Sequence, residues 1–171
     1  CREGGMDVSA VWIQDWEGRR ITSFGKRLQW DWRWDEKSYP GLDKVIAADE
    51  NTRWMGYINP YLVESGVLFK EAQEKGYFVK KQDGSDYLFD FGEYDCGVVD
   101  LTMPEAFEWY KGVIKTNLIG LGFRGWMADF GEYLPVDCVL HDGDPAQLHN
   151  KWPVMWAKLN REAIEEYGDK D

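Results

Sequence analysis

Short apolar runs alternate with amphipathic stretches along the whole chain. Residues 8–14, VSAVWIQ, stay apolar until Gln14 and Asp15, the pattern of a buried strand with a polar end. A long connection over 16–39, rich in Trp, Arg and Gly, follows. Residues 41–51 place Leu42, Val45 and Ile46 on one side of a helix, and 54–59, WMGYIN, predict a second strand stopped at Pro60. The stretch 66–75 reads as a helix closed by Gly76. Residues 77–100 predict paired strands: YFVKKQ, a turn at Asp83-Gly84, YLFDF and CGVVDL. Thr102-Met103-Pro104-Glu105 has the form of a capping box with Pro in the first turn. The helix it opens has Phe107, Tyr110, Val113 and Ile114 on one face and ends near Gly120. FRGWMAD then forms a strand ending on Asp129, and Asp144-Pro145 starts a last helix that Pro153 must kink or restart.

Strands alternating with helices predict an α/β fold with a parallel sheet and crossovers. Polar residues gather at the C-terminal strand ends: Gln14-Asp15, Asn59, Asp100 and Asp129. Ligands bind at that edge in open α/β sheets and in barrels alike. Four strand–helix units make about half of an eightfold barrel, which typically needs ~250 residues. The chain is thus expected to be a small doubly wound domain or part of a (β/α)8 TIM barrel. A start without Met and an abrupt end at EEYGDKD favour part of a barrel, with 1–171 as one partial catalytic domain.

Composition narrows the partners. Ten Trp, nine Tyr and eight Phe make 16% of the chain; such rings either pack a large core or stack on sugars. A net charge of −11 argues against nucleic acid. No apolar run approaches the ~20 residues that span a bilayer, so no membrane contact is expected. The N-terminus has no signal-peptide order. Cys1, Cys96 and Cys138 are odd in number and widely spaced, which predicts reduced thiols in a cytoplasmic protein and no zinc site. His141 and His149, eight apart beside DGD, give no reason to expect a metal.

Residues 123–135, FRGWMADFGEYLP, carry the strongest chemical signal. An apolar strand delivers Asp129 to the sheet edge, flanked by Gly125 and Gly131, which would let a sugar approach the backbone, with Glu132 three residues on. Retaining glycosidases need an ionised carboxylate beside the anomeric carbon and a second carboxyl, roughly 5–5.5 Å away, to protonate the leaving oxygen. The pattern W-x-x-D-x-x-E resembles the nucleophile motif of glycoside hydrolase family 31, which usually reads W-x-D-M-N-E-P; Phe130 and Gly131 stand in place of Met and Asn. VVDLTMPEAFEWY is similar to that family's Asp-Phe-Thr-Asn-Pro stretch one strand earlier. The resemblance covers nearly the whole chain. It implies that Asp129 is the nucleophile, that no cofactor is needed, and that the acid/base Asp and the accessory β-domains lie outside these residues.

Departures from the common pattern point to one branch of the family. Its α-glucosidases carry an Asp at the end of the early strand, where this chain has Gln14 in W-I-Q-D-W. Downstream, G-K-R-L-Q-W places Arg27 thirteen residues after Gln14 and Trp30 three further. This set resembles the family's sulfoquinovosidases, which cleave α-linked 6-deoxy-6-sulfoglucose. The chemistry suits a sulfonate: Arg27 supplies a cation, the Trp30 indole a neutral donor and Gln14 an amide in place of a repelling carboxylate. Alternatively, Arg27 pairs with Asp31 or Asp35 and Trp30 is barrel packing. Asp15 either bonds ring hydroxyls or orients Arg27. Trp126 lines the pocket or packs behind Asp129, and Glu132 orients Asp129. Lys26, Arg19 and Arg20 read as solvated loop charges. Two rival readings are a neutral α-glucosidase or α-xylosidase of the same family and a non-catalytic sugar-binding module. On every reading the partners are a small carbohydrate and, for a barrel piece, the remainder of the parent catalytic domain.

Overall fold

The structure is a computed structural model that describes residues 4–167, so Cys1 lies outside the described residues. Three strands, β1 (Ala10–Trp12), β4 (Arg53–Ile58) and β8 (Gly125–Ala128), form a parallel sheet in the order β1-β4-β8. Trp12 pairs with Met55, and Ile58 with Ala128. The ladder continues past β8, where the Asp129 amide donates to Ile58 O at 2.9 Å.

Between β1 and β4 the chain makes a hairpin, β2 (Arg19–Thr22) with β3 (Gly25–Leu28), and then helix α1 (Leu42–Ala48). The sequence alone presents this stretch as an unstructured connection. Helix α1 buries Leu42 and Ile46, whereas Val45 is half exposed.

β4 ends at Ile58, just short of Pro60, as expected. Directly after the proline, β5 (Tyr61–Val63) enters a second, antiparallel sheet with β7 (Asp95–Val98) and β6 (Leu88–Asp90), after helix α2 (Val67–Glu74). This corrects the expected count of parallel strands from four to three. CGVVDL is buried on both faces in the antiparallel sheet, and an apolar run gives no hint of its partner's direction. Asp100 is therefore no ligand-facing strand end. It is buried and accepts from Thr102 N, Thr102 Oγ1 and His141 N, tying two loops together. YFVKKQ makes isolated bridges, Phe78 to Val99 and Lys80 to Asp86 and Val139, in place of a strand.

Helix α3 (Pro104–Ile114) starts with Met103 at its N-cap and no side-chain cap, because the Thr102 hydroxyl is given to Asp100. A π-helical turn, Lys115–Ile119, extends it to Gly120. Asp144 caps α4 (Pro145–Leu148), and α5 (Trp152–Tyr167) restarts with Pro153 in its first turn, where no amide is needed. α3 and α5 pack through Tyr110 and Trp156, stacked at 5.4 Å.

The core explains the tryptophan count. Trp16 and Trp32 are fully buried and spend their indole N–H groups on Tyr57 O (2.8 Å) and Tyr61 O (3.0 Å). Tyr110 Oη likewise donates to Asn59 O at 2.7 Å. Large rings fill the space around the β4 end while their polar handles satisfy backbone carbonyls that would otherwise be orphaned. The end of β4 beside Asp129 is thereby held rigidly.

Among the described residues, no helix is long and apolar enough to cross a membrane. Glu108, Glu162 and Glu166 cluster closely enough to suggest a cation site. The Lys111 ammonium fills it, at 2.7, 3.2 and 2.5 Å from the three carboxylates, and links α3 to α5.

Candidate active site

A cavity of about 610 Å³ opens at the C-terminal edge of the parallel sheet. The loop after β1 contributes Gln14 and Asp15, the hairpin Lys26 and Arg27, β4 Tyr57, and the loop after β8 Asp129 and Phe130. Trp30 and Tyr94 close its wall. Gln14, Asp15, Arg27, Trp30 and Asp129, spread over 115 positions of sequence, thus meet in one place. A larger cavity of about 1140 Å³ lies at the opposite end of the sheet, lined by the starts of β4 and β8.

Asp129 is half-buried and held by the Tyr57 hydroxyl, which donates to its Oδ2 at 2.7 Å. Burial, chiefly, together with the adjacent Asp129, holds the Tyr57 phenol well above its ordinary range, so it remains a donor. Asn59 Nδ2 lies 3.4 Å behind that hydroxyl. The expected orienter, Glu132, is exposed, and Tyr57 takes that position instead. Tyr57 escapes sequence reading because only the β4–β8 register brings it to Asp129.

Trp30 sits at φ 55, the left-handed region, where a bulky residue costs about 1–3 kcal/mol. Phe130, its edge-on neighbour at 5.8 Å, is held at φ 57. Tyr61 stacks on Trp30 at 5.6 Å, while Phe91 and Tyr94 meet it edge-on. Packing therefore fixes a ring that the backbone alone would not place there. The indole is 7% exposed and its Nε1 has no hydrogen-bond partner, although the ring lines the cavity. A buried unpaired donor costs stability and calls for a partner.

The hairpin sets Arg20 and Arg27 directly opposite each other. Like charges in that relation destabilise a strand pair. Arg20 is not a solvated loop charge: its guanidinium lies 3.7 Å from the Tyr94 ring centroid and donates to Leu28 O (2.7 Å) and Gln29 O (2.6 Å). Arg27 is exposed on the cavity side and pairs with neither Asp31 nor Asp35. Asp31 accepts instead from Leu68 N, and Asp35 from Ser38 Oγ and Lys37 N. Asp15 does not orient Arg27: it binds Arg19 Nε at 2.7 Å and accepts from Tyr39 Oη. Arg19, Lys26 and Arg27 leave the lining one positive charge in excess over Asp15 and Asp129, on a chain that carries −11 overall.

Two expected features lie elsewhere. Trp126 lines the opposite cavity and donates its indole N–H to Asn160 Oδ1 of α5 at 2.8 Å. Gly131, at φ 105, has no sugar-facing reason to be glycine; a Cβ there would stand 3.2 Å from Trp156 Cδ1. One residue absent from sequence reasoning underlies the cavity wall: Glu17 is 3% exposed, with both carboxyl oxygens unpaired.

Comparisons with known proteins agree with this architecture. The model of the glycosyl hydrolases family 31 TIM-barrel domain matches residues 1–171. A sulfoquinovosidase of Escherichia coli is 52% identical over 170 residues, covering 98% of this chain and 25% of that protein. A sulfoquinovosidase of Agrobacterium fabrum is 49% identical over 171 residues, with 98% and 26% covered. Among solved structures, a GH31 family sulfoquinovosidase from E. rectale, in complex with the aza-sugar inhibitor IFGSQ, superposes with a TM-score of 0.93 at 56% identity, covering 98% of this chain and 26% of that one. The chain spans about a quarter of the length of these relatives.

Proposed function

The chain belongs to glycoside hydrolase family 31, and on that footing we propose that the protein containing it is a retaining α-glycosidase acting on α-sulfoquinovosides. One observation carries the substrate assignment. A strained, buried Trp30 with an unpaired indole N–H shares a cavity wall with Arg27, which stands opposite a second arginine and pairs with neither nearby aspartate. Strain and an unmet donor cost stability and are typical of ligand sites, and an anionic group in the cavity offsets the repulsion of the like-charge pair. A sulfonate offers the required acceptors and a full negative charge. Gln14 can donate its amide to the same group, whereas an Asp there would repel it.

Asp129 attacks the anomeric carbon to form a glycosyl ester, which water then hydrolyses with retention. Tyr57 holds the carboxylate in place for that attack. The acid that protonates the leaving oxygen is not the other cavity carboxylate, because Asp15 is engaged by Arg19 and Tyr39. We assign it to a part of the protein outside these residues, together with the rest of the barrel and the accessory β-domains, so the 171 residues alone are not expected to turn over substrate. Cys96 and Cys138, buried and free, fit a reducing compartment, the cytoplasm.

Comparing wild type with Arg27→Ala in the full-length protein, on an α-sulfoquinovoside and an α-glucoside, tests the substrate. Arg27→Ala should lose the preference for the sulfonated sugar. Equal effects on both substrates would favour a neutral-sugar enzyme of the same family.

A further inference from the structure

We propose that Glu17 is a positioning residue of the anion subsite: it backs the wall that carries Trp30 as an uncharged carboxylic acid, and its conversion to a carboxylate weakens binding of an anionic sugar. The proposal rests on the reading that the cavity accepts an anion.

The geometry is that of a carboxyl with nowhere to put a charge. Glu17 follows Gln14 and Asp15 on the loop leaving β1, is 3% exposed, and has no hydrogen-bond partner for Oε1 or Oε2. An ionised carboxylate in such a place would lack water and keep only the weak pull of the nearby Glu17 and Trp30 amides, which a folded chain tolerates poorly. The charged and titratable groups that face it are Asp15 on its own loop, Arg20 on β2, Tyr39 ahead of α1 and Tyr57 on β4. Arg20 is the cation among them, and its guanidinium is already committed to Leu28 O, Gln29 O and the Tyr94 ring.

Burial, reinforced by the charge of Asp15, pushes the Glu17 carboxyl up to about 8. The backbone amides of Glu17 and Trp30, together with Arg20, pull the other way and are outweighed. Below that pH the acid is neutral and the cations of the hairpin act on the ligand alone. Above it, a new negative charge shares the wall with Trp30 and Asp15, opposing an incoming sulfonate and competing for the field of Arg20 and Arg27. A sulfonate stays ionised throughout this range, so the change belongs to the protein.

The test uses the full-length protein and 4-nitrophenyl α-sulfoquinovoside, with KM and kcat measured from pH 6 to pH 9.5 in wild type, Glu17→Gln and Glu17→Met. A like charge added near a bound anion in a medium of effective dielectric ~20 corresponds to roughly tenfold in binding. Wild-type KM should therefore rise about tenfold across pH 8. Both variants should show no such rise. A flat wild-type KM, or the same rise in either variant, overturns the role of Glu17. If wild type instead ignores the sulfonate, with Arg27→Ala changing nothing, the anion-site reading fails and Glu17 is not the cause.

Discussion

Replacing Tyr57 with Phe removes one oxygen and leaves the packing around it intact. That hydroxyl is the protein donor to Asp129, at 2.7 Å on Oδ2, and the residue is 3% exposed. A hydrogen bond to a charged acceptor contributes about 1.5–3 kcal/mol. On the proposed mechanism the bond keeps a reacting oxygen aimed at the anomeric carbon, so its loss would be felt in the step that forms the glycosyl ester. That range corresponds to a fall of roughly 10- to 150-fold in kcat/KM. Asn59 loses only a 3.4 Å contact and keeps its Oδ1 bond to Tyr61 N at 2.9 Å, so the end of β4 should hold. The assay is steady-state hydrolysis of 4-nitrophenyl α-sulfoquinovoside by the full-length protein, with thermal unfolding as the control for folding. A folded Tyr57→Phe variant with kcat/KM within twofold of wild type would refute the argument that Tyr57 positions the nucleophile.

Two further outcomes follow from buried charges. Glu17, with an ordinary value of 4.5 and a folded value of about 8, gives stability that is full below pH 4.5 and is lost as pH rises through 8. The loss is about 1.4 kcal/mol per pH unit across that interval. Glu17→Gln should thus match wild type in Tm near pH 4.5 and exceed it increasingly up to pH 8; a constant offset would contradict the assignment. Lys111→Ala should lower Tm by several degrees, because a buried ammonium then no longer ties Glu108 to Glu162 and Glu166 across α3 and α5. The carboxylates left behind are partly exposed, which limits the cost to about 2 kcal/mol; an unchanged Tm would show that the cluster contributes nothing.

How far the sequence exposes the site depends on whether the information is local. Asp129 is legible because an apolar strand ends on it, and β8 indeed stops one residue earlier. Gln14 and Asp15 are legible for the same reason at β1. The hairpin that carries Arg27 is not, because two four-residue strands give too little alternation and the turn at Gly25 rests on φ 92. Trp30 reads as one more tryptophan in WDWRWD; its left-handed backbone and unpaired Nε1 exist only through tertiary packing. Tyr57 becomes a partner of Asp129 only once β4 and β8 are in register. Trp126 misleads because adjacent strand residues face opposite ways, and its indole turns to Asn160, away from the cavity. Asp100 misleads because a buried antiparallel strand and a buried parallel one share the same composition.

The central claim is that Asp129 is the atom-level partner of the sugar. The direct measurement is peptide mass mapping of the full-length protein after reaction with a fluorinated α-sulfoquinovosyl donor whose covalent intermediate accumulates. The account predicts a sugar-sized mass increment on the peptide containing Asp129, absent from Asp129→Asn. An increment on any other residue, or its persistence in Asp129→Asn, would contradict it.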